Sequence, residues 1–308
     1  MSAPDPAPVP IRAAATVVLL RETAARLEVL LTRRSAQLSF MGDVWVFPGG
    51  RLDESDVAAA TLQRIAARHR DTCGRRLLAL TGTSLEPDLA LGLHVAGCRE
   101  TFEECGVLLA RHGDGSPCDA PQIARLAQHR SSIAASGAAF LDMLQAEELY
   151  LDVDRLVYWS HWITPSHERK RFDTRFFAVE VPPGQDANVD RTETTEHAWV
   201  TVDEAFAHAA AGTMKLAPPT LATLPDLREA HAQAGNVSAM LERECAREVP
   251  PILPKWFERD GRVIIVLPWD PEYASLPGEG VQPAKNYPPY LAALPSRREL
   301  KIRAAKAP

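Results

Sequence analysis

Apolar positions along the chain form two patterns, short strand-like runs and longer stretches with helical spacing. The strand-like runs are bounded by polar turns or by proline and glycine, and Pro48-Gly49-Gly50 ends the third of them. Such runs are typical of buried strands and their hairpin partners. The predicted strands lie at 13–20, 27–32, 44–47, 156–163, 171–181 and 198–202.

Helical spacing, with apolar residues three and four positions apart, marks most of the segments between these strands. One long helix is predicted to begin at Pro87-Asp88. Asp53 or Ser55 is a candidate cap for a helix further upstream. Besides the long helix, helices are predicted at 57–69, 75–80, 122–150, 202–211 and 225–247.

The two ends of the chain differ in composition from its middle. Residues 1–10 are rich in proline and alanine and predict an extended lead-in. A hairpin is predicted at 255–267, followed by proline-rich loops. The sequence therefore predicts one α/β (α+β) domain at 11–250 and a C-terminal extension at 251–308. The extension is interpreted either as a cover over the sheet or as a homodimer contact.

The composition is ordinary for a globular protein, and the net negative charge does not favour binding to polyanions. The chain has 308 residues, of which 46% are hydrophobic and 24% charged, enough for a substantial core. Its net charge of −6 argues against binding to nucleic acid or to an anionic membrane. The five cysteines are odd in number and form no C-x-x-C pair, which argues against a disulfide framework and a structural zinc site. With no signal peptide and no apolar run of membrane-spanning length, a cytoplasmic location is predicted.

Residues 99–107 (R-E-T-F-E-E-C-G-V) place three carboxylates on neighbouring positions. In a helix, Glu100, Glu103 and Glu104 share one arc of the surface, because residues three and four apart are neighbours. Carboxylates this close repel one another, but they suit a hard cation such as Mg2+ or Mn2+, which prefers oxygen ligands. Gly106 stands where a helix C-cap glycine belongs. A solvated acidic helix face is the alternative interpretation.

The Phe47-Pro48-Gly49-Gly50 turn and this acidic segment together resemble the signature of the Nudix hydrolases, G-x5-E-x7-R-E-U-x-E-E-x-G-U, where U is aliphatic. The second half is in register at Arg99, Glu100, Glu103, Glu104, Gly106 and Val107. In the first half, Asp56 stands where the family has Glu. The seven-residue spacer is replaced by the 42 residues 57–98, so an insertion of 35 residues interrupts the signature. Such an insertion can loop out at a modest entropic cost if its ends lie close together.

The interruption resembles that of one branch of the family, the peroxisomal-type coenzyme A and acyl-coenzyme A diphosphatases. The segments R-R-S-A-Q-L-S-F-M-G-D-V-W-V-F-P-G-G, W-S-H-W-I-T-P and R-F-D-T-R-F-F are similar to that branch as well. The resemblance covers about residues 12–225. It implies a Nudix fold, a mixed β-sheet in an α/β/α sandwich, with insertions at 57–91 and 111–155. The coenzyme A motif of other Nudix enzymes is only partly present, because Phe40 occupies its arginine position.

The resemblance implies a metal-dependent diphosphatase, in which water attacks one phosphorus of a pyrophosphate and two monophosphates are released. Glu100, Glu103 and Glu104 are the implied ligands of Mg2+ or Mn2+. Arg99 is the implied partner of the upstream acid, for which Asp56 is the candidate. Asp is one methylene shorter than the family's Glu, so the sequence leaves open whether this pair forms.

The remaining site residues are expected around the glycine turn and on later strands. The residues predicted to bind the substrate are Gly49, Gly50, Arg34, Arg51 and Arg171. The general base is one of the three glutamates or a later carboxylate, with Glu193 and Glu196 as candidates. Aromatic residues such as Trp159 and Trp162 are interpreted either as core or as a base-stacking platform, and His161 as a loop or partly packed residue.

The substrate implied by the resemblance is coenzyme A or an acyl-coenzyme A, cleaved to 3',5'-ADP and (acyl-)4'-phosphopantetheine. One alternative is another nucleoside diphosphate derivative, such as ADP-ribose or NADH. A second alternative is a non-catalytic Nudix module that binds a nucleotide. The intact glutamates argue against a loss of catalysis, whereas Asp56 and the insertion argue for it.

Overall fold

The computed structural model arranges the chain around one mixed sheet with helices on both faces. It describes residues 9–37, 41–74, 77–79, 82–166, 168–189, 194–259, 262–281 and 297–301. In these residues the strands are β1 (Ile11–Thr23), β2 (Arg26–Arg34), β3 (Trp45–Val46), β4 (Gly49–Arg51), β5 (Ala110–His112), β6 (Leu149–Leu151), β7 (Val157–Ile163), β8 (Arg171–Glu180), β9 (Thr194–Thr201), β10 (Pro251–Ile252), β11 (Lys255–Arg259), β12 (Arg262–Val266) and β13 (Arg297–Lys301).

The helices lie between and after these strands. They are α1 (Ala59–Leu62), α2 (Ala67–Gly74), α3 (Pro87–Cys105), α4 (Ala120–Leu126), α5 (Arg130–Ala135), α6 (Ala138–Ala146), α7 (Val202–Ala210), α8 (Pro218–Ala234) and α9 (Val237–Glu244). Short 3₁₀ turns occur at Glu54–Val57, Ala127–His129, Val153–Arg155 and Tyr273–Ser275. None of the helices in the described ranges has both the length and the apolar character that crossing a bilayer requires.

The central sheet has the strand order β10-β7-β8-β1-β2-β3, with β4 paired to β1 and β9 paired to β2. β1 and β8 are parallel along their length, with Ile11 opposite Arg171 and Leu20 opposite Glu180. β1 and β2 form the predicted antiparallel hairpin. The start of β8 therefore lies beside the start of β1, at the end of the sheet where β4 also pairs.

Alternate residues of β1 face opposite layers, because successive side chains of a strand point to opposite faces of the sheet. Val17 and Leu19 lie in the core that contains α3, whereas Val18 and Leu20 lie in the core that contains α8. α3 approaches the sheet so closely at Gly97 that an added Cβ would lie 3.1 Å from a Val17 methyl carbon. This arrangement confirms the predicted mixed sheet between two helical layers.

The single helix predicted at 57–69 is wrong. A 3₁₀ turn, α1 and α2 occupy the region, and Ile65 between the two helices forms a β-bridge with Leu151. Asp53 caps the 3₁₀ turn, accepting a hydrogen bond from Ser55 N at 2.9 Å. The long-range bridge stops the helix where the local alanine-rich pattern predicts that it continues.

Other predicted helices are divided or absent. The prediction at 75–80 is wrong for its described part, because Leu78 forms a β-bridge with Ser84. The region 122–150 contains α4, α5 and α6 instead of one helix, and its last residues form β6, which pairs with β5. Likewise α8 ends at Gly235, whose φ of +87° is left-handed, before α9 begins.

The residues after 250 belong both to the central sheet and to a small sheet of their own. β10 pairs with β7 in parallel, with Ile252 opposite Trp162. β11, β12 and β13 form an antiparallel sheet, which confirms the predicted hairpin, although its turn residues lie outside the described residues. Glu279 forms an ion pair with Arg171 at 2.6 Å, which fixes this extension to the start of β8.

Candidate active site

The glycine turn before β4 is held against β1 by backbone hydrogen bonds. Val17 N donates to Pro48 O at 2.9 Å, and Gly50 lies opposite Ala15 in the antiparallel pairing of β4 with β1. Gly49 has a φ of +152°, and an added Cβ there would lie 2.3 Å from the Ala15 carbonyl oxygen. Only glycine allows this close approach, so the turn lies directly on the strand.

The same turn contacts two of the three predicted glutamates on α3. An added Cβ at Gly50 would lie 2.4 Å from the carboxyl carbon of Glu100, so the missing side chain leaves space for that carboxylate. Glu104 accepts a hydrogen bond from the Gly49 backbone N–H at 3.1 Å. Glu100 is 9% exposed and Glu104 is 6% exposed. The two halves of the signature therefore meet in space across the insertion.

α3 forms and ends as the sequence predicts. Pro87 occupies its first turn, where proline is favoured because the first N–H groups of a helix have no partner in it. Gly106 ends the helix with a left-handed φ of +70°, and its N–H donates to Phe102 O at 2.9 Å. The helix carries Glu100, Glu103 and Glu104 on one arc, within its last two turns.

A buried ion pair joins the 3₁₀ turn at Glu54–Val57 to α3. Arg99 donates from Nε to Asp56 Oδ1 and from Nη2 to Asp56 Oδ2, both at 2.9 Å. The two side chains are 5% and 1% exposed. Asp56 also accepts a hydrogen bond from Asp53 N at 2.8 Å, which fixes it in the capping box of the turn. The shorter aspartate therefore reaches Arg99, because the capped turn holds it against the helix.

Arg99 also orients two of the candidate metal ligands. Its Nη1 donates to Glu100 Oε1 at 3.0 Å and to Glu103 Oε2 at 3.4 Å. Burial alone would lower the pKa of Arg99, but the hydrogen bonds to Asp56 and the charges of Glu100, Asp56 and Glu103 raise it above its ordinary value. Arg99 is therefore cationic, and it partly neutralises the glutamates in a poorly solvated place.

The donor chemistry of this site fits a hard divalent cation. The three glutamates supply carboxylate oxygens on one arc, and Gly50 provides space at one of them. Among the described residues, no three His, Cys, Asp or Glu side chains already stand in an arrangement that holds a metal ion. Instead Glu100 and Glu103 contact Arg99, and Glu104 contacts Gly49.

The three predicted substrate-binding arginines lie in different surroundings. Arg51 is exposed directly after the glycine turn, and its carbonyl oxygen accepts from Arg99 Nη2 at 3.1 Å. Arg34 is partly buried at the end of β2, and its Nε has no hydrogen-bond partner in the part of the chain that the structure describes. Arg171 is 4% exposed and ion-paired with Glu279. Arg51 therefore contacts Arg99 of the candidate site through its backbone carbonyl.

Glu196 and the candidate aromatic residues have contacts away from the three glutamates. Glu196 accepts a hydrogen bond from Arg33 Nη1 at 2.7 Å, and Glu193 lies outside the described residues. His161 is buried and contacts Asp173 at 2.5 Å, so it is a core residue rather than a loop residue, and burial lowers its pKa. Trp159 and Trp162 are buried in the core that contains α8, as their core interpretation predicts.

One residue that the sequence does not single out contacts this helix. Arg130, the first residue of α5, donates to the backbone carbonyls of Glu103 and Glu104 at 2.9 and 2.8 Å. Its segment is predicted only as an amphipathic helix, and nothing in that pattern separates Arg130 from a surface arginine. Its partners are backbone carbonyls, which every residue has, so no residue type in the sequence indicates this contact.

Comparison with known proteins supports the resemblance of the glycine turn and the acidic helix to the Nudix signature. The family model of the NUDT19 Nudix domain matches residues 7–227. The acyl-coenzyme A diphosphatases NUDT19 of Gallus gallus and Homo sapiens are 28% and 29% identical to this chain, and each alignment covers 62% of the chain and 58% of the relative. The chain thus spans about three fifths of the length of these relatives.

A solved structure shares the fold over most of the described chain. A Nudix hydrolase from Alicyclobacillus acidocaldarius superimposes with a TM-score of 0.61 at 28% sequence identity. The superposition covers 76% of this chain and 96% of that chain. The family model, this fold and the paired halves of the signature agree. The chain therefore belongs to the Nudix hydrolases, in the family of the NUDT19 Nudix domain.

Proposed function

We propose that this chain is a divalent-metal-dependent diphosphatase of coenzyme A or its thioesters. The products are 3',5'-ADP and 4'-phosphopantetheine, or its acyl derivative. The observation that carries the proposal is the Asp56–Arg99 pair, which joins the 3₁₀ turn after the glycine turn to the helix that carries all three glutamates, despite the insertion. The chicken and human relatives are acyl-coenzyme A diphosphatases, which supports the choice of substrate.

The chain's own residues supply the ligands and their orientation. When bound, Mg2+ or Mn2+ neutralises developing charge on the phosphates and activates the attacking water. Glu100, Glu103 and Glu104 would hold the ions, while Gly49 N–H orients Glu104 and Arg99 orients the other two. The oxygen of water forms a bond to one phosphorus, the bond from that phosphorus to the bridging oxygen breaks, and a carboxylate accepts the proton.

Anionic groups of the substrate need local cations on this acidic protein. Arg51 is exposed beside the glycine turn, and its planar fork suits bidentate contact with a phosphate. Arg34 offers a buried Nε that has no hydrogen-bond partner among the described residues. Arg171 is less suited, because binding a phosphate there requires its ion pair with Glu279 to break.

A substrate panel tests the proposal. The protein is incubated with coenzyme A, an acyl-coenzyme A, ADP-ribose or NADH, each with Mg2+ or Mn2+, and products are separated by chromatography. Release of 3',5'-ADP from coenzyme A or its thioester is the expected result. Preferred cleavage of ADP-ribose or NADH would replace the substrate assignment but keep the reaction. Tight nucleotide binding without turnover of any substrate would contradict both enzyme assignments and support a non-catalytic nucleotide-binding module.

Gly50→Ala is expected to lower kcat by about tenfold to a hundredfold, since disturbing the groups that orient metal ligands typically costs this much activity. The added methyl group would occupy the space of the Glu100 carboxylate. Steady-state rates at saturating Mg2+ measure the effect. Gly113→Ala, where an added Cβ would lie 3.3 Å from a Tyr150 ring carbon, is the control and should retain the wild-type rate. Equal rates in both variants would mean that the close approach of Gly50 to the Glu100 carboxylate does not matter for turnover.

We also propose a cytoplasmic protein. The five cysteines all lie in the described residues and none is in a disulfide, and four of them are buried, which suits a reducing compartment. A homodimer through the C-terminal extension stays a prediction, and size-exclusion chromatography with light scattering tests it.

A further inference from the structure

The C-terminal end of α3 has an unusual set of hydrogen-bond partners. The last carbonyl groups of a helix lack partners within it and must find them elsewhere. Phe102 O accepts from Gly106 N at 2.9 Å, and Cys105 O accepts from Asn188 N at 2.7 Å. The two carbonyls between them, those of Glu103 and Glu104, accept from the guanidinium of Arg130.

Arg130 reaches these carbonyls from the second insertion. Its Nε donates to Glu103 O at 2.9 Å and its Nη2 donates to Glu104 O at 2.8 Å, and the residue is 9% exposed. An added Cβ at Gly106 would lie 3.3 Å from Arg130 Nη1, so the helix cap leaves room for the guanidinium. A cation at this end of a helix also interacts favourably with the helix dipole.

A second contact shows that the insertion packs closely on the site. Gly137, just before α6, comes so near the capped 3₁₀ turn that an added Cβ would lie 2.5 Å from Ser55 Oγ and 3.1 Å from Asp53 Oδ1. The same insertion therefore touches the turn that holds Asp56 and the end of the helix that holds Glu103 and Glu104.

We propose that Arg130 is a positioning residue of the candidate metal site. It holds the backbone of the two residues whose carboxylates are the proposed ligands, and so fixes the direction in which both side chains leave the helix. The inference rests on the proposed function, because it assigns Arg130 a role through Glu103 and Glu104. The 111–155 insertion would then support catalysis by holding the metal ligands in place, without contacting the substrate through Arg130.

The test compares Arg130→Ala and Arg130→Lys with the wild-type protein. Mn2+ binding to the free protein is measured by electron paramagnetic resonance, alongside kcat, KM and thermal unfolding. For Arg130→Ala we expect the Kd for Mn2+ to rise and kcat to fall, each by about tenfold or more, with KM little changed. Arg130→Lys keeps the cation but not the two-pronged donor geometry, and intermediate values are expected. It also keeps the test open if the alanine variant does not fold.

Arg125→Ala is the matched control. Arg125 lies in the same insertion, where it donates both of its terminal nitrogens to Glu147 at 2.6 Å, and it is not part of the site. Its Mn2+ affinity and kcat should stay within about twofold of wild type. Wild-type Mn2+ affinity and kcat in both Arg130 variants would overturn the positioning role and leave the proposed function standing. Failure of the wild-type protein itself to bind Mn2+ and to turn over any diphosphate would overturn both.

Discussion

Glu104→Gln is expected to lower kcat for coenzyme A hydrolysis by about a thousandfold, since charge stabilisation by a bound metal is worth several kcal/mol. The variant removes one negative charge from the proposed metal site. It keeps a side-chain oxygen of the same reach, so the hydrogen bond from Gly49 N–H can persist and the fold should survive. Steady-state kinetics and Mn2+ binding measure the loss, and circular dichroism checks the fold.

Glu86→Gln controls for the change of charge. Glu86 is an exposed residue immediately before α3 and makes no capping hydrogen bond with its side chain. The control should retain wild-type turnover and unfolding temperature. If Glu104→Gln also turned over at the wild-type rate, Glu104 would not be a metal ligand. A Glu104→Gln protein that is folded, binds Mn2+ weakly and is nearly inactive is the outcome that the site predicts.

Asp56→Ala is expected to lower the free energy of unfolding by about 3–5 kcal/mol, because it leaves a buried guanidinium without its main partner. Arg99 is 5% exposed, and Asp56 accepts two of its hydrogen bonds. Urea denaturation measures the loss. Arg99→Met combined with Asp56→Ala should cost less than the sum of the single variants, since the double variant leaves neither charge buried alone.

Asp56→Asn separates the effect of the Asp56 charge from the effect of its hydrogen bond in the capping box. The amide oxygen can still accept from Asp53 N, so this variant should lie between wild type and Asp56→Ala. The exposed pair Asp203–Arg228, with side chains 80% and 56% exposed, supplies the comparison. Asp203→Ala should leave the denaturation midpoint nearly unchanged, because solvent screens such pairs. Additive effects of the Asp56 and Arg99 substitutions would mean that the pair contributes no coupling.

The two halves of the site differ in how far the sequence predicts them. α3 is predicted from Pro87 to Gly106 because its signals are local, a proline in the first turn and a glycine at the end. The sequence names Asp56 and Arg99 as a candidate pair but leaves open whether it forms, because this depends on where the chain returns after 42 intervening residues. The reach of the shorter acid also depends on a 3₁₀ turn that the helical pattern conceals.

Long-range pairing explains the predictions that are wrong. The alanine-rich pattern at 57–69 favours a helix, but Leu151 N donates to Arg64 O at 2.8 Å and Ile65 bridges to Leu151. Tertiary contacts of this kind override local propensity. Arg130 is missed for a related reason, since its partners are backbone carbonyls more than twenty residues away.

The core that covers the α8 face of the sheet continues beyond the segment that the family model matches. The match ends at residue 227, yet Val237, Met240 and Ile252 complete this core. Ile252 also belongs to β10, which covers the outer edge of β7. A fragment ending at 227 would expose an apolar surface and a bare strand edge, both of which promote self-association. We infer that the cooperative unit of folding is longer than the segment matched by the family model. A truncation or fusion point should therefore be placed after the last buried residue of this core.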